Sequence, residues 1–100
     1  MVFKVIIKPL AVLDIDEAIE WYEEKSKGLG KRFYLHFQLA IDDILKDPDA
    51  YFNITAQVRR VLLKNFPYKV FYTVSADTIF ILGVLHTKRS KSYIRRRLKN

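Results

Sequence analysis

One hundred residues, 50% hydrophobic and 14% aromatic, have the composition of one globular domain spanning 1–100 with a modest core, not of a disordered chain. The absence of cysteine excludes disulfides and thiolate metal sites, and a count of only two histidines excludes a histidine-rich metal centre. The formal net charge of +7 is unevenly spread: residues 1–50 carry seven bases and ten acids (−3), residues 51–100 eleven bases and one acid, Asp77 (+10).

That split points to a polyanionic partner for the C-terminal half, either nucleic acid or an acidic protein segment. No apolar run approaches the roughly 20 residues that span a bilayer. The N-terminal VFKVII is short and soon followed by Pro9, unlike a signal peptide, so a cytoplasmic protein is expected.

Val2–Ile7 reads as a short apolar strand that joins a sheet at an edge its own residues do not specify. Pro9 suits the first turn of a helix, where its missing N–H costs nothing. Val12, Ile15, Ile19 and Tyr22 then recur at helical spacing, with Ala11, Ala18 and Trp21 widening the stripe. Asp16, Glu17, Glu20, Glu23 and Glu24 form the opposite, solvated face. Lys25, Lys27 and Gly28 end the helix.

Gly28-Leu29-Gly30 is a hinge into a second helix, Leu29–Lys46, whose stripe is Phe33, Phe37, Ala40, Ile41 and Ile44, and which stops before Pro48. Two amphipathic helices so closely joined form an antiparallel hairpin that covers one sheet face. His36, near the apolar stripe, is expected to be a packing or surface residue. Asp49–Gln57 is a polar connection.

Val58–Lys64, Tyr68–Val74 and Thr78–Leu85 read as three strands, separated by Asn65-Phe66-Pro67 and Ser75-Ala76-Asp77. Strands this short on turns this tight run antiparallel as a meander. Arg59 and Arg60 point to opposite faces. The one on the helix side must snorkel to the sheet edge or pair with an acid such as Asp42 or Asp43. From His86 to Asn100 come seven bases and no acid. If 91–99 is helical, Ile94 and Leu98 dock it while Tyr93, Arg96 and Arg97 group elsewhere. The expected fold is α+β: a small antiparallel sheet, made of the N-terminal strand and the meander, packed on a helical hairpin, with a basic C-terminal tail or short helix.

No Walker loop or dinucleotide fingerprint is present. The candidate constellation is His86, Arg89 and Tyr93, just past the last strand. Chemistry on RNA phosphates needs cations for the phosphoryl oxygens and groups that take and give protons. Histidine suits acid or base work near neutral pH, and a tyrosine or lysine does so beside cations that lower its pKa. No cofactor or metal is called for.

With these residues in view, the chain resembles the RelE/ParE superfamily of toxins from type II toxin–antitoxin systems, the plasmid stabilisation proteins. The resemblance rests on AVLDIDEAIEWYEE, GLGKRF, VRRVLLKNFPYKVFYTV and IFILGVLHTKRSKSY in this order and spacing. It implies a cytoplasmic toxin neutralised by a cognate antitoxin whose C-terminal segment wraps the basic surface. RelE-like members cut mRNA in the ribosomal A site, and such ribosome-dependent cleavage without metal is the activity expected of this chain. By that resemblance Arg89, Tyr93, His86 and Lys64 would be catalytic, and Arg60, Lys69, Lys88, Lys91, Arg95 and Arg96 would bind nucleic acid or another target, ribosome and mRNA or else DNA gyrase. ParE-like members instead inhibit DNA gyrase without hydrolysis, and a third implied possibility is an inactive relative that only binds antitoxin. Asp49–Gln57 lacks the bases that RelE-like nucleases tend to carry before the second strand.

Overall fold

A computed structural model describes residues 2–99. In chain order it contains β1 (Lys4–Ile7), α1 (Pro9–Lys25), α2 (Leu29–Lys46), β2 (Phe52–Asn53), β3 (Arg59–Leu62), β4 (Tyr68–Ser75), β5 (Thr78–His86) and α3 (Lys91–Leu98). Among these residues no helix is long and apolar enough to cross a membrane.

Pro9 opens α1 as expected, and Ala11, Ile15 and Ala18 form its buried face. α2 buries Phe33, Phe37, Ala40 and Ile44. The hinge depends on two glycines. Gly28 adopts φ +86°, and a Cβ on Gly30 would lie 2.6 Å from the Ile19 carbonyl oxygen, so only glycine lets the helices approach this closely. The Glu23 carboxylate accepts the N–H groups of Gly28 (3.0 Å) and Gly30 (3.1 Å), tying down the turn. Glu23 is thus a structural cap and not part of a purely solvated face.

The sheet order is β1-β5-β4-β3-β2. The β3-β4-β5 meander is antiparallel, as expected. Two features differ from the expectation of an all-antiparallel four-stranded sheet. Phe52–Asn53, read as connection, adds a two-residue edge strand against Arg60 and Arg59. β1 runs parallel to β5, in register from Lys4↔Thr78 to Ile7↔Ile81. Parallel neighbours need a long connection, and everything from Pro9 to Asp77 supplies it. The sheet is therefore mixed, and β1, a lysine followed by three apolar residues, carries no pattern that would dictate its direction.

The helices cover the face to which Tyr68, Val70 and Tyr72 point. Tyr22 stacks on Phe33 (centroids 5.5 Å apart), and Phe66 and Tyr68 meet Phe33 edge-on at 5.2 and 5.0 Å. His36 sits at the rim of this cluster, 5.6 Å from Phe66, with Nε2 3.4 Å from the Asn65 amide nitrogen. The Tyr72 hydroxyl, fully buried, donates to the Pro48 carbonyl and anchors the end of α2 to the sheet. Between Phe71 and Tyr72 the register shifts, because Phe71 faces Gly83 while Tyr72 faces Ile81. Leu82 is the extra residue of this bulge.

Arg59 and Arg60 do take opposite faces. Arg59, opposite Tyr72, is the one on the helix side. Its guanidinium donates to the carbonyls of Asp49 (2.9 Å) and Tyr51 (2.7 Å), and its acid neighbour is Asp49 at 3.9 Å. The expected partners Asp42 and Asp43 are replaced because β3 starts beside the 47–51 connection, whose carbonyls are closer.

β1 stops opposite Ile81, so the second half of β5 has no strand on that side. Asp14 of α1 fills the gap: its Oδ2 accepts the Val84 N–H at 3.0 Å. The same carboxylate accepts both terminal nitrogens of Arg97 from α3, at 2.8 and 2.6 Å. Both side chains are largely buried, 12% and 15% exposed. Hydrogen bonding to Asp14 holds Arg97 above its ordinary pKa, against the opposing effect of burial and with a smaller contribution from Tyr93.

Asp14→Ala leaves a buried guanidinium and a strand N–H without their acceptor and is expected to lower unfolding stability by about 3 kcal/mol. In denaturant titrations, Asp14→Ala,Arg97→Ala should lose less than the sum of the two single variants. Burial pushes the Tyr72 hydroxyl up to about 12. The folded state therefore favours the neutral phenol, and that stabilisation is complete below about pH 10 and lost as pH rises towards 12. Tyr72→Phe is expected to cost about 1–2 kcal/mol at pH 7 by stranding the Pro48 carbonyl. It should also flatten the stability loss between pH 10 and 12, which Tyr22, Tyr51 and Tyr68, shifted the same way, keep from vanishing.

Candidate functional site

Past His86 the chain turns tightly. Thr87 N–H reaches back to the Pro67 carbonyl (2.8 Å), and Arg89 N–H to the His86 carbonyl (3.0 Å). Ser90 then caps α3: its hydroxyl accepts the Tyr93 N–H at 3.1 Å, and its carbonyl accepts the Ile94 N–H at 3.0 Å. The turn places Lys88 and Arg89 at the rim of an open groove of about 520 Å³. One wall is α1, through Asp14, Glu17, Ala18 and Trp21. The other is Tyr68, Val84, Leu85 and His86.

His86 lies edge-on to Tyr68, with centroids 5.2 Å apart. Its Nδ1 accepts the Lys88 N–H at 3.0 Å. That bond assigns the neutral ring its proton at Nε2, with Nδ1 engaged by backbone. Burial, and after it the neighbouring Tyr22, raise the pKa of Tyr68, with Arg89 opposing them; its hydroxyl remains protonated. Arg89 spreads over the Tyr93 ring, 4.4 Å from its centroid, a cation–π contact that pins the guanidinium to the first turn of α3.

The structure thus brings His86, Lys88, Arg89 and Tyr93 to one rim. It does not add all of the other expected residues. Lys64 is exposed in the turn before β4. Lys69, adjacent to Tyr68 and in register with Leu62 and Leu85, points to the sheet face away from the helices. Arg60 shares that second face, its guanidinium 4.6 Å from the centroid of Phe52. Lys91, Arg95 and Arg96 are exposed along α3, where Ile94 and Leu98 are half-buried.

Sequence reasoning missed Asp14, Glu17, Trp21, Tyr68 and Arg97 as site residues. Trp21 does not widen a buried stripe: it is 52% exposed, with the Lys25 ammonium 4.7 Å from its ring. Asp14 carried a signal, since it sits between Leu13 and Ile15, off the acidic stripe and one turn from buried Ala11 and Ala18. A carboxylate there needs a partner.

Chemically, the groove opposes carboxylates on α1 to cations on the β5–α3 turn. An amphipathic protein segment with apolar and acidic side chains matches such a cleft. A phosphodiester would meet Glu17 as well as Arg89, which weakens the field that stabilises phosphoryl charge.

The family model described as the ParE toxin of the type II toxin–antitoxin system, parDE, matches residues 5–91. Among solved structures, a chain of the chromosomal ParDE system from P. aeruginosa superposes with TM-score 0.74 at 14% identity, covering 84% of this chain and 95% of that one. A mutant of E. coli toxin RelE in the free state gives 0.58 at 13% identity, with 96% and 98% covered. The archaeal RelE–RelB complex from Pyrococcus horikoshii OT3 gives 0.56 at 17% identity, with 90% and 100% covered. No curated protein matches the sequence. The mixed sheet under a helical hairpin is the fold these toxins share, and by its match over residues 5–91 the chain belongs to the ParE toxin family of type II toxin–antitoxin systems.

Proposed function

We propose that this chain is a toxin that arrests growth by binding DNA gyrase, without chemistry of its own, and that a cognate antitoxin neutralises it. The observation that carries this reading is that the sheet separates the catalytic candidate His86 from two of the cations expected to bind the nucleic acid. His86 faces the α1 groove, whereas Lys69 and Arg60 lie on the opposite face. Groups on two faces of a sheet do not converge on one phosphate. His86 also accepts the Lys88 N–H at its Nδ1, a bond within its own turn. The family match to ParE and the ParDE structural likeness agree with a target-binding mode.

The second reading, ribosome-dependent mRNA cleavage, keeps one specific support: Arg89 stacked on Tyr93 beside His86, at the start of a basic helix. Two assays separate them. Purified protein is expected to inhibit gyrase supercoiling and leave a reporter mRNA intact in reconstituted translation, as read by primer extension. Cuts that need ribosomes and vanish in a folded Arg89→Ala,Tyr93→Ala variant would replace the gyrase reading with the nuclease one. Supercoiling and translation that both proceed normally would leave an inactive relative that only binds antitoxin.

The solved relatives come from ParDE and RelE–RelB systems. For this chain the antitoxin segment expected at the groove is acidic and amphipathic, meeting Lys88, Arg89 and the cations of α3. Its affinity is expected to fall severalfold between about 0.05 and 0.5 M salt, as measured by titration calorimetry, because exposed charges are screened over that range. A salt-independent dissociation constant would exclude an electrostatic interface.

A further inference from the structure

α2 carries two leucines on the wrong side for the core. Leu35 and Leu39 are one helical turn apart and 50% and 47% exposed, on the surface opposite Phe33, Phe37, Ala40 and Ile44. A solvated helix face has no use for two adjacent leucines. Their flanks are ordered: Lys31 and Arg32 lie towards the N-terminal end, Asp42 and Asp43 towards the C-terminal end. The one ion pair there, Lys46–Asp43 at 4.0 Å between exposed side chains, is too loose to bind Asp43 elsewhere.

We propose that this face is a self-association surface on which a second copy of the chain docks, α2 against α2 and antiparallel. The pattern is self-complementary under a two-fold axis level with Phe37. At 100° per residue, Arg32, Leu39 and Asp43 lie on one side of the stripe, and Lys31, Leu35 and Asp42 on the other. A two-fold axis perpendicular to the helices keeps each side facing the same side of the other copy. Leu35 and Leu39 then meet their own counterparts. Arg32 lies level with Asp43 of the second copy, and Lys31 with Asp42 of the second copy. Each charge contact occurs twice, and no like charges are opposed. Parallel packing would instead set Arg32 against Arg32 and Asp43 against Asp43, so the charges select direction. The surface lies away from the α1–β5 groove, so self-association leaves that groove open and is independent of the target.

Sedimentation equilibrium over about two decades of protein concentration tests this. The apparent mass is expected to rise from 11.9 kDa towards twice that value. Leu35→Glu,Leu39→Glu should abolish association, with far-UV circular dichroism confirming the fold. Arg32→Glu should weaken it at least about tenfold, by replacing two attractions with two repulsions. Arg32→Glu,Asp43→Arg should restore it, because each copy then carries both halves of the exchanged pair. A single mass at all concentrations, a dimer indifferent to the leucine variants, or a double exchange without rescue would each overturn the proposal. So would amide protection of α2 that appears only when antitoxin is added, since the face would then belong to the antitoxin.

Discussion

The carboxylate of Asp14 holds three elements at one point. It takes the Val84 N–H where β1 has run out, and it takes both arms of the Arg97 guanidinium. A strand N–H facing a helix would otherwise be stranded, and a buried carboxylate or guanidinium alone would be costly. Together they satisfy one another, the Arg97 Nε aside. The arrangement matters most for α3, which has no fully buried residue and rests on half-buried Ile94 and Leu98. Arg97 gives this lightly packed basic helix a defined seat. Arg89 and Tyr93 inherit their position from it, because they belong to the turn that leads into α3 and to its first turn.

The same contact shapes the groove. Asp14 is spent on internal partners, so the acidic wall of α1 acts on a ligand mainly through Glu17. Opposite it stand the exposed cations Lys88 and Arg89. Trp21 adds an exposed aromatic surface, and Tyr68 and His86 add a floor of rings continuous with the core cluster of Tyr22, Phe33 and Phe66. An apolar floor with mixed charged rims agrees with the polypeptide binding proposed for this cleft. The cations of the second sheet face, Arg60 on Phe52 and Lys69, form a separate surface.

Much of this architecture is legible in the chain. Helix periodicity and proline placement locate α1 and α2, the latter expected over roughly Leu29 to Lys46 and found there. Turn residues locate the meander, and the charge split locates the basic rim. The alternation of strand side chains separates Arg59 from Arg60. These are local properties, set by sterics and by the 3.6- and 2-residue periods, so they survive without knowledge of tertiary neighbours.

Other features depend on which distant residues meet. The direction of β1 follows from the connection that leads to β5 and not from VFKVII itself. The partner of Arg59 follows from the proximity of the 49–51 carbonyls, which outcompete Asp42 and Asp43. Glu23 became a cap because Gly28 and Gly30 turn their N–H groups towards it. Above all, Asp14 and Arg97 are 83 residues apart, and nothing within either helix announces the other. Composition and periodicity thus determined the elements, their apolar faces and the sign of the C-terminal half. Tertiary structure alone decided which charges are internal and which are offered to a partner, because a charge's role depends on the polar groups that burial brings within hydrogen-bonding distance.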